Sequence, residues 1–167
     1  FKKTKFDLVY HLGAEFGIEA QVTTAIKLKG AIAYGQYTYA NNPDLYLSSD
    51  RFENVYLGKS YLKDYKLAVG PHQAYSVGFE YRDPDYWWFG ATANFFKQTY
   101  IDISPLTRTD NFYKDVDGFP FSDYEETLAR SLLQQERFDD YMTVNLTGGK
   151  SWLIGKYYIG LFASVNN

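Results

Sequence analysis

The chain has 167 residues, a formal net charge of -3 at pH 7 and no cysteine. Aromatic residues make up 20% of it, yet charged residues reach 22% and the mean hydropathy is -0.39. The absence of cysteine excludes disulfides and thiol chemistry, and the net negative charge argues against a nucleic-acid partner. No apolar run approaches the roughly 18 residues of a membrane-spanning helix. Because the chain opens on FKKTKF, without the apolar core of a signal peptide, and stops at Asn167, we expect a piece of a longer protein.

Residues 6–20 predict a long first strand, because alternate positions are all apolar or aromatic while the positions between them are mostly polar or small. Strict period-two alternation over this length is typical of a strand whose two faces meet different solvents. It also exceeds the five or six residues that are usual for a strand in a globular protein. The apolar set is Phe6, Leu8, Tyr10, Leu12, Ala14, Phe16, Ile18 and Ala20.

Residues 26–38 predict a second strand that forms an antiparallel hairpin with the first. The register that places Glu19 across from Lys27 also places Phe16 across from Gly30. An opposite-charge pair and a ring over a glycine both stabilise neighbouring strands, so they favour this register.

A long loop at 39–67, with at most a short extension of its strands, leads to two further strands at 75–81 and 87–96. The Arg-Asp-Pro-Asp turn at 82–85 joins these two strands. A second long excursion occupies 97–140.

Within that excursion, the sequence predicts a short helix over 123–136. Ser122 followed by Glu125 resembles a capping box, and Leu128 with Leu132 would form its buried stripe.

A final hairpin at 142–147 and 159–166, with a turn near 153–156, completes six predicted strands. Short turns alternate with long loops along the chain, which is typical of bacterial outer-membrane barrels with short periplasmic turns and long external loops. The sequence therefore predicts an all-β, antiparallel transmembrane β-barrel segment of about six strands, with 1–167 as one partial barrel domain. The loop at 97–140 would then lie outside the cell, and the turn at 83–85 in the periplasm.

Aromatic residues cluster where the predicted strands would leave the hydrocarbon, as interfacial girdles do. Those near the short turns are Tyr81, Tyr86, Trp87, Trp88, Trp152 and Tyr157, and those near the long loops are Tyr37, Tyr39, Phe95 and Tyr100. The alternative is a soluble antiparallel β protein whose apolar face packs on a second sheet.

No constellation of residues predicts an enzyme or a cofactor, and one acidic stretch alone leaves a metal site open. GKS at 149–151 lacks the earlier glycine of a phosphate loop, and the two histidines lie on different predicted elements. Glu15 and Glu19 share one strand face and could mimic a paired-carboxylate site, but a lumen lined with mixed charge accounts for them better. Acidic residues in the second excursion predict either a solvated loop or a calcium site, without the EF-hand spacing: Asp115, Asp117, Asp123, Glu125 and Glu126.

Three stretches resemble the C-terminal barrel region of TonB-dependent outer-membrane receptors, in the branch that carries a carboxypeptidase-like regulatory domain. They are AEFGIEAQVTTAIKLKGAIAYGQYTYANNPD, AYSVGFEYRDPDYWWFGATANFF and DDYMTVNLTGGKSWLIGKYYIGLFASVNN. The resemblance covers nearly the whole chain, and it lies in the order of the strand pairs.

The resemblance implies a barrel of about 22 strands, plugged by an N-terminal domain. Such a receptor imports a scarce ligand with energy from the inner-membrane TonB complex. The resemblance also allows a surface lipoprotein as a further partner. On this resemblance, we expect the plug and the terminal strands to lie outside this sequence. The ligand stays open between siderophore, cobalamin, glycan and peptide.

Two functions follow as hypotheses. The first is a wall segment of an outer-membrane transporter in a Gram-negative bacterium, in contact with lipid, the plug and a small-molecule ligand. Its lumen- or plug-facing candidates are Glu15, Glu19, Lys27 and Lys29, and its ligand-contact candidates are Arg108, Tyr113, Phe119, Phe121 and Tyr124. The second is a soluble β-rich carbohydrate-binding module, in which exposed Trp and Tyr rings stack on sugars.

Overall fold

The structure is a computed structural model that describes residues 2–5, 8–49, 52–115, 117–123 and 125–167. It is all-β, with 59% of residues in strands and 9% in helices. The chain divides into two compact units. We call them the sheet unit, made of Gly13–Gly35, Pro71–Thr99 and Asp139–Asn167, and the loop unit, made of Phe1–Leu12, Gln36–Gly70 and Tyr100–Phe138.

The described part of the chain forms nine strands and one α-helix. The strands are β1 (Lys2–Lys5), β2 (Val9–Gln21), β3 (Ile26–Tyr39), β4 (Asp44–Ser49), β5 (Phe52–Lys59), β6 (Gln73–Arg82), β7 (Trp87–Lys97), β8 (Tyr141–Ile154) and β9 (Tyr157–Asn166). The helix α1 is Glu126–Leu132, and two 3₁₀ turns occupy Leu106–Arg108 and Asp110–Tyr113. Among the described residues, no helix has the length and hydropathy needed to cross a membrane.

Six strands form one antiparallel sheet in the order β2-β3-β6-β7-β8-β9, and this sheet is not closed. Each strand pairs with the next sheet strand along the chain, so the sheet is a simple meander. The three hairpins predicted from the sequence are therefore confirmed. Strand β2 begins at Val9 and ends at Gln21, one residue beyond the predicted stretch 6–20, and Phe6 and Asp7 lie outside the described residues.

Local hydrogen bonds explain the sharp turn between β6 and β7. The Asp83 side chain accepts a bond of 2.9 Å from the backbone N–H of Asp85, and the Asp83 N–H donates to the Trp87 carbonyl at 2.8 Å. An aspartate that binds the backbone two residues on is a usual way to begin a turn. The β8–β9 turn instead uses Gly155, whose φ of 62° costs a glycine little.

The strand register separates two faces of the sheet. One rung across five strands is apolar throughout: Leu28, Phe79, Ala91, Leu146 and Val165 are successive partners. A neighbouring rung consists of polar or small residues: Lys29, Gly78, Thr92, Asn145 and Asn166. Consecutive residues of a strand point to opposite faces, so at these rungs one face is apolar and the other is polar from β3 to β9. Nearer the strand ends, Trp88, Phe96 and Phe162 have the parity of the polar face.

The apolar face is exposed. Phe16 in β2 is 65% exposed and Leu161 in β9 is 69% exposed, and large apolar side chains on the strands between them are exposed as well. The buried hydrophobic side chains of the described residues, Leu45, Leu62, Ile103 and Ala129, all belong to the loop unit. The sheet unit thus has no apolar core of its own among the described residues.

The predicted contacts between β2 and β3 are correct in one case and wrong in another. Glu19 and Lys27 form an ion pair, with 2.7 Å between Oε1 and Nζ. Phe16 does not cover Gly30, because a Cβ built at Gly30 meets Cγ2 of Ile18, at 3.4 Å, as its nearest side-chain atom. A long Lys side chain reaches a carboxylate in more than one register, whereas contact with a glycine depends on the register itself.

The loop unit contains structure that its sequence did not predict. Within 39–67, β4 and β5 form an antiparallel hairpin, and β1 pairs with β4 in a three-stranded sheet of the order β1-β4-β5. The hairpin has register shifts on either side of the Tyr46–Tyr56 pair. Such bulges interrupt the period-two pattern, so the prediction of a long loop was wrong.

The predicted helix is shorter than expected and is differently capped. Helix α1 begins after Glu125, which makes no side-chain capping bond, so the predicted capping box with Ser122 is wrong. Leu132 is 67% exposed and Leu128 is exposed too, while Ala129 is the buried residue of the helix. A helix of seven residues has too few turns to bury a stripe of leucines, and the small side chain of Ala129 is buried instead.

Candidate functional site

The polar face of the sheet unit carries a ladder of charges. Besides the Glu19–Lys27 pair, Lys29 Nζ lies 3.3 Å from Glu80 Oε2, and Arg82 donates a hydrogen bond to the same Glu80 carboxylate. The structure thus places the predicted Glu19, Lys27 and Lys29 on one face. Sequence reasoning missed Glu80 and Arg82, although their parity in β6 opposite to Phe79 and Tyr81 would have identified them.

Polar side chains continue this face across the next strands. Ser76 Oγ donates to Asn94 Oδ1 at 2.8 Å, and Asn94 Nδ2 donates to Thr143 Oγ1 at 3.3 Å. The hydrogen bonds join β6, β7 and β8 side by side. This face is therefore suited to water or to a polar occupant, because a lipid chain would leave its remaining donors and acceptors without partners.

Glu15 differs from the other predicted residues of this face, since no ion pair or hydrogen bond engages its carboxylate within the described part of the chain. It lines a hollow of about 360 Å³. Small and polar side chains make up much of the remaining wall, with Phe96 at its edge: Ala31, Ala33, Ala74, Ser76 and Asn94.

Aromatic rings gather near the short turns, as predicted. Tyr81 and Trp87 lie with their centroids 5.0 Å apart, and Tyr86 and Tyr158 lie 5.8 Å apart. Trp88 is an exception to the predicted girdle. Its register partner is Gly149, so Trp88 belongs to the polar face.

The absence of a side chain at Gly149 leaves space for the indole ring of Trp88. A Cβ built at Gly149 would lie 2.8 Å from Trp88 Nε1 and 2.9 Å from the Leu161 carbonyl oxygen.

The loop unit contains a cluster of tyrosines and carboxylates that sequence reasoning missed. Tyr56 Oη donates to Asp44 Oδ1 at 3.1 Å, and the rings of Tyr46 and Tyr56 have centroids 5.2 Å apart. The hydrogen bond to Asp44 raises the pKa of the Tyr56 phenol above its usual range. The negative charge of Asp110 raises the pKa of the Tyr61 phenol above its usual range.

Arg108, predicted to meet an anionic ligand, is engaged within the loop unit. Its guanidinium donates to the carbonyls of Ser104 and Leu133 at 3.1 and 2.9 Å, and lies 4.9 Å from the centroid of the Tyr65 ring. These contacts join two distant stretches of the 97–140 excursion. They assign Arg108 a structural task, while its contact with a ligand stays a prediction.

The other predicted loop residues lie along one turn. Phe121 N–H donates to the Tyr113 carbonyl at 3.0 Å, which brings these two residues side by side, and Lys114 Nζ lies 5.4 Å from the Tyr113 ring centroid. Phe119 and Phe121 are exposed. Tyr124 lies outside the described residues.

The acidic stretch of this turn uses one carboxylate to hold the backbone. Asp115 Oδ1 accepts hydrogen bonds from the N–H groups of Asp117 and Phe119, at 3.0 and 2.9 Å. Within the described ranges, no group of three or more His, Cys, Asp or Glu residues is arranged to hold a metal ion.

No protein-family model, curated protein or solved structure matches this chain. The resemblance to TonB-dependent receptors stays a prediction from the sequence.

Proposed function

We propose that this chain is a wall segment of an outer-membrane β-barrel that belongs to a TonB-dependent receptor. The observation that carries the proposal is the six-stranded antiparallel sheet with one exposed apolar face and one polar face. A soluble protein rarely exposes a continuous apolar surface of more than a few hundred Å². Lipid would cover this surface at no cost in unsatisfied polar groups, since the strand backbones bond to one another.

Strand length supports the same proposal. The six strands of the sheet are 10 to 14 residues long. A tilted strand needs about 9 to 11 residues to cross the hydrocarbon, whereas strands of globular proteins are commonly half as long. An open sheet must pair its edges in a membrane, so further strands of the same barrel would pair with β2 and β9.

The polar face would then line the interior of the barrel. Its ion pairs and side-chain hydrogen bonds are compatible with water and with a plug domain. The plug domain is the occupant that the resemblance to TonB-dependent receptors implies. In that arrangement the receptor imports a scarce ligand with energy from the TonB complex, and the excursion at 97–140 contributes to the outer entrance. Long loops on a rigid scaffold are where binding groups are usually placed.

Spin labels on adjacent residues test which face meets lipid. Ile32 and Ala31 are neighbours in β3 and point to opposite faces, with Tyr75 and Ser76 as their partners. We expect a nitroxide at Ile32→Cys, in full-length protein reconstituted in liposomes, to be relaxed by oxygen, which concentrates in hydrocarbon. A nitroxide at Ala31→Cys should be relaxed by a water-soluble nickel chelate. Equal access of the nickel chelate to both sites would favour the soluble carbohydrate-binding module.

Cysteine labelling in whole cells tests sidedness. This stretch has no native cysteine, and both Asp117 and Asp83 are exposed or half-buried in turns. We expect an impermeant maleimide to label Asp117→Cys from outside, and to label Asp83→Cys only after the outer membrane is permeabilised. The reverse pattern would contradict the proposed topology, although it would keep the barrel.

A further inference from the structure

Two charged side chains in the six described strands of the sheet have the parity of the apolar face, Lys97 and Lys150. Lys97 ends β7 at the long-loop end, and Lys150 is the register partner of Trp87 and Leu161 at the short-turn end. From Trp87 to Lys97, β7 rises about 33 Å at about 3.3 Å per residue. At a tilt of about 45° this is about 23 Å of depth, close to the apolar band of about 25 Å of an outer-membrane barrel. The two lysines therefore mark the two edges of such a band.

The two lysines differ in their partners. Lys97 Nζ lies 3.9 Å from Asp140 Oδ2, so its charge is paired. Lys150 Nζ donates one hydrogen bond, to the backbone carbonyl of Asp85 at 3.0 Å, and forms no ion pair within the described residues. An ammonium group has three N–H donors. Lys150 can therefore donate two further hydrogen bonds to an acceptor that this part of the chain does not supply.

Indole rings accompany Lys150 on the apolar face. Trp87 is its cross-strand partner, and Trp152 follows two residues later in β8, with the same parity. Trp87 is 40% exposed and Trp152 is 45% exposed. Tryptophan is enriched at the boundary between lipid and water, where its ring lies at the level of the headgroups. Under the proposed function, the two rings place Lys150 at that level.

The charges at this end of the apolar face balance one another. Asp83 uses its carboxylate within the turn, where it accepts two hydrogen bonds. Asp85 is exposed, and no hydrogen bond or ion pair engages its carboxylate in the part of the chain that the structure describes. Lys156, in the β8–β9 turn, brings a second ammonium group to the same end as Lys150. Arg82 belongs to the polar face and is paired there. Two carboxylates and two ammonium groups suit a headgroup that carries one charge of each sign.

We propose that Lys150 and Asp85 bind the headgroup of a phosphoethanolamine lipid, with the phosphate on Lys150 and the ammonium on the Asp85 carboxylate. Both contacts are charge-assisted hydrogen bonds, which are stronger than neutral ones. The bond from Lys150 to the Asp85 carbonyl keeps the two binding groups beside each other. The acyl chains would lie on the apolar face, along Leu161. The inference rests on the proposed function, because lipid must cover that face.

Two related headgroups separate the parts of this recognition. Phosphocholine carries the same two charges, but its quaternary ammonium has no N–H to donate to Asp85. Phosphoglycerol keeps the phosphate and has no cation. A phosphoethanolamine lipid should therefore bind more tightly than either.

Native mass spectrometry of the full-length protein, released from detergent micelles, measures this preference. The probes are three dioleoyl lipids, with phosphoethanolamine, phosphocholine or phosphoglycerol headgroups, each titrated alone. We expect the first to bind most tightly. Lys150→Gln should weaken its binding about five-fold, the effect of one lysine at a lipid surface. Asp85→Ala, which removes the carboxylate, should make the phosphoethanolamine and phosphocholine lipids bind equally.

Lys97→Gln is the matched control, because it removes the same charge from the same face at the opposite edge. It should leave the preference among the three lipids unchanged. Lys150→Arg should keep the binding, since a guanidinium also binds phosphate. A heat-modifiability gel shows which variants stay folded. Asp85→Ala removes a carboxylate that bonds to nothing in the described residues, so it tests the site even if Lys150→Gln does not fold.

Three results would overturn the inference: equal binding of the three lipids by wild type, tighter binding of the phosphoglycerol lipid, or an unchanged preference in both Lys150→Gln and Asp85→Ala. If one of these occurs while oxygen relaxes the Ile32 nitroxide, the headgroup site alone is wrong and the proposed barrel is unaffected. If the nickel chelate relaxes that nitroxide instead, the proposed function is wrong and the inference fails with it.

Discussion

The sheet unit and the loop unit are stabilised by different means. The loop unit buries Leu45, Leu62 and Ile103 in an ordinary apolar core, and its polar Ser60 and Thr109 are buried with hydrogen bonds. The sheet unit is held by backbone pairing and by rungs of side chains whose apolar members stay exposed. Under the proposed function, lipid on the apolar face would stabilise the sheet unit in place of such a core.

Leu62→Ala should have the largest effect, and it should act on the loop unit. Leu62 is 1% exposed, and removing a buried leucine side chain costs about 2–5 kcal/mol because a cavity remains. We expect hydrogen exchange to accelerate in β4 and β5 while β6 to β8 stay protected. The matched control is Leu132→Ala, at an exposed leucine of the same unit, which should change little. Equal loss of protection in both units would contradict their separate stabilisation.

Ile32→Lys should break the sheet unit and spare the loop unit. A charge placed on the lipid face near mid-membrane destabilises a barrel by about 2–4 kcal/mol, so assembly into liposomes should fall. Ala31→Lys, one residue away on the polar face, should be milder. The fraction of folded protein on a heat-modifiability gel measures both. Equal tolerance of the two substitutions would count against the assigned faces.

The smallest effect concerns the turn between β6 and β7, and it is a pH effect. The hydrogen bond from the Asp85 N–H holds the pKa of the Asp83 carboxyl below its usual value of 3.8. A lowered pKa means that the bond's contribution is complete above that value and is lost as pH falls through the lower, folded pKa. We expect the Asp85 amide resonance to titrate below pH 3.8.

The control for this titration is Asp83→Asn, which keeps an acceptor oxygen and has no titratable carboxyl, so it should abolish the shift. A wild-type transition above the usual carboxyl value would contradict the bond.

The sheet could be predicted from the sequence because the alternation of apolar and polar residues within each strand shows which side chains share a face. Phe16 and Ile18 alternate with Glu15 and Glu19, and the same rule in β6 identifies Glu80 as polar-facing without any knowledge of its neighbours. Register depends on which strands meet, so the Phe16–Gly30 contact could not be read from β2 and β3 alone. The girdle was predicted from nearness to the turns, although the alternation within the strand sets Trp88 on the face opposite to Trp87.

The loop unit could not be predicted in the same way. Its bulged hairpin has no steady period, and the bridge between Ser60 and Thr109 joins two stretches of chain that carry no pairing signal. Composition does not mark these rings as exposed, since apolar residues flank them in the sequence, as Leu45 and Leu47 flank Tyr46. Only the fold shows that Asp44 accepts a hydrogen bond from Tyr56.

The hydrogen bonds from Ser76 through Asn94 to Thr143 all run in one direction across the strands. Asn94 accepts one of these hydrogen bonds and donates the other, so the row is polarised. The Ser76 hydroxyl uses its proton within the row, whereas the Thr143 hydroxyl keeps its proton for another acceptor. Thr143 can therefore donate to whatever fills the space beside β8, while Glu15 on β2 can only accept while it is ionised. In the proposed barrel, a guest beside this face would meet a donor at Thr143 and an acceptor at Glu15, which would give it a preferred orientation.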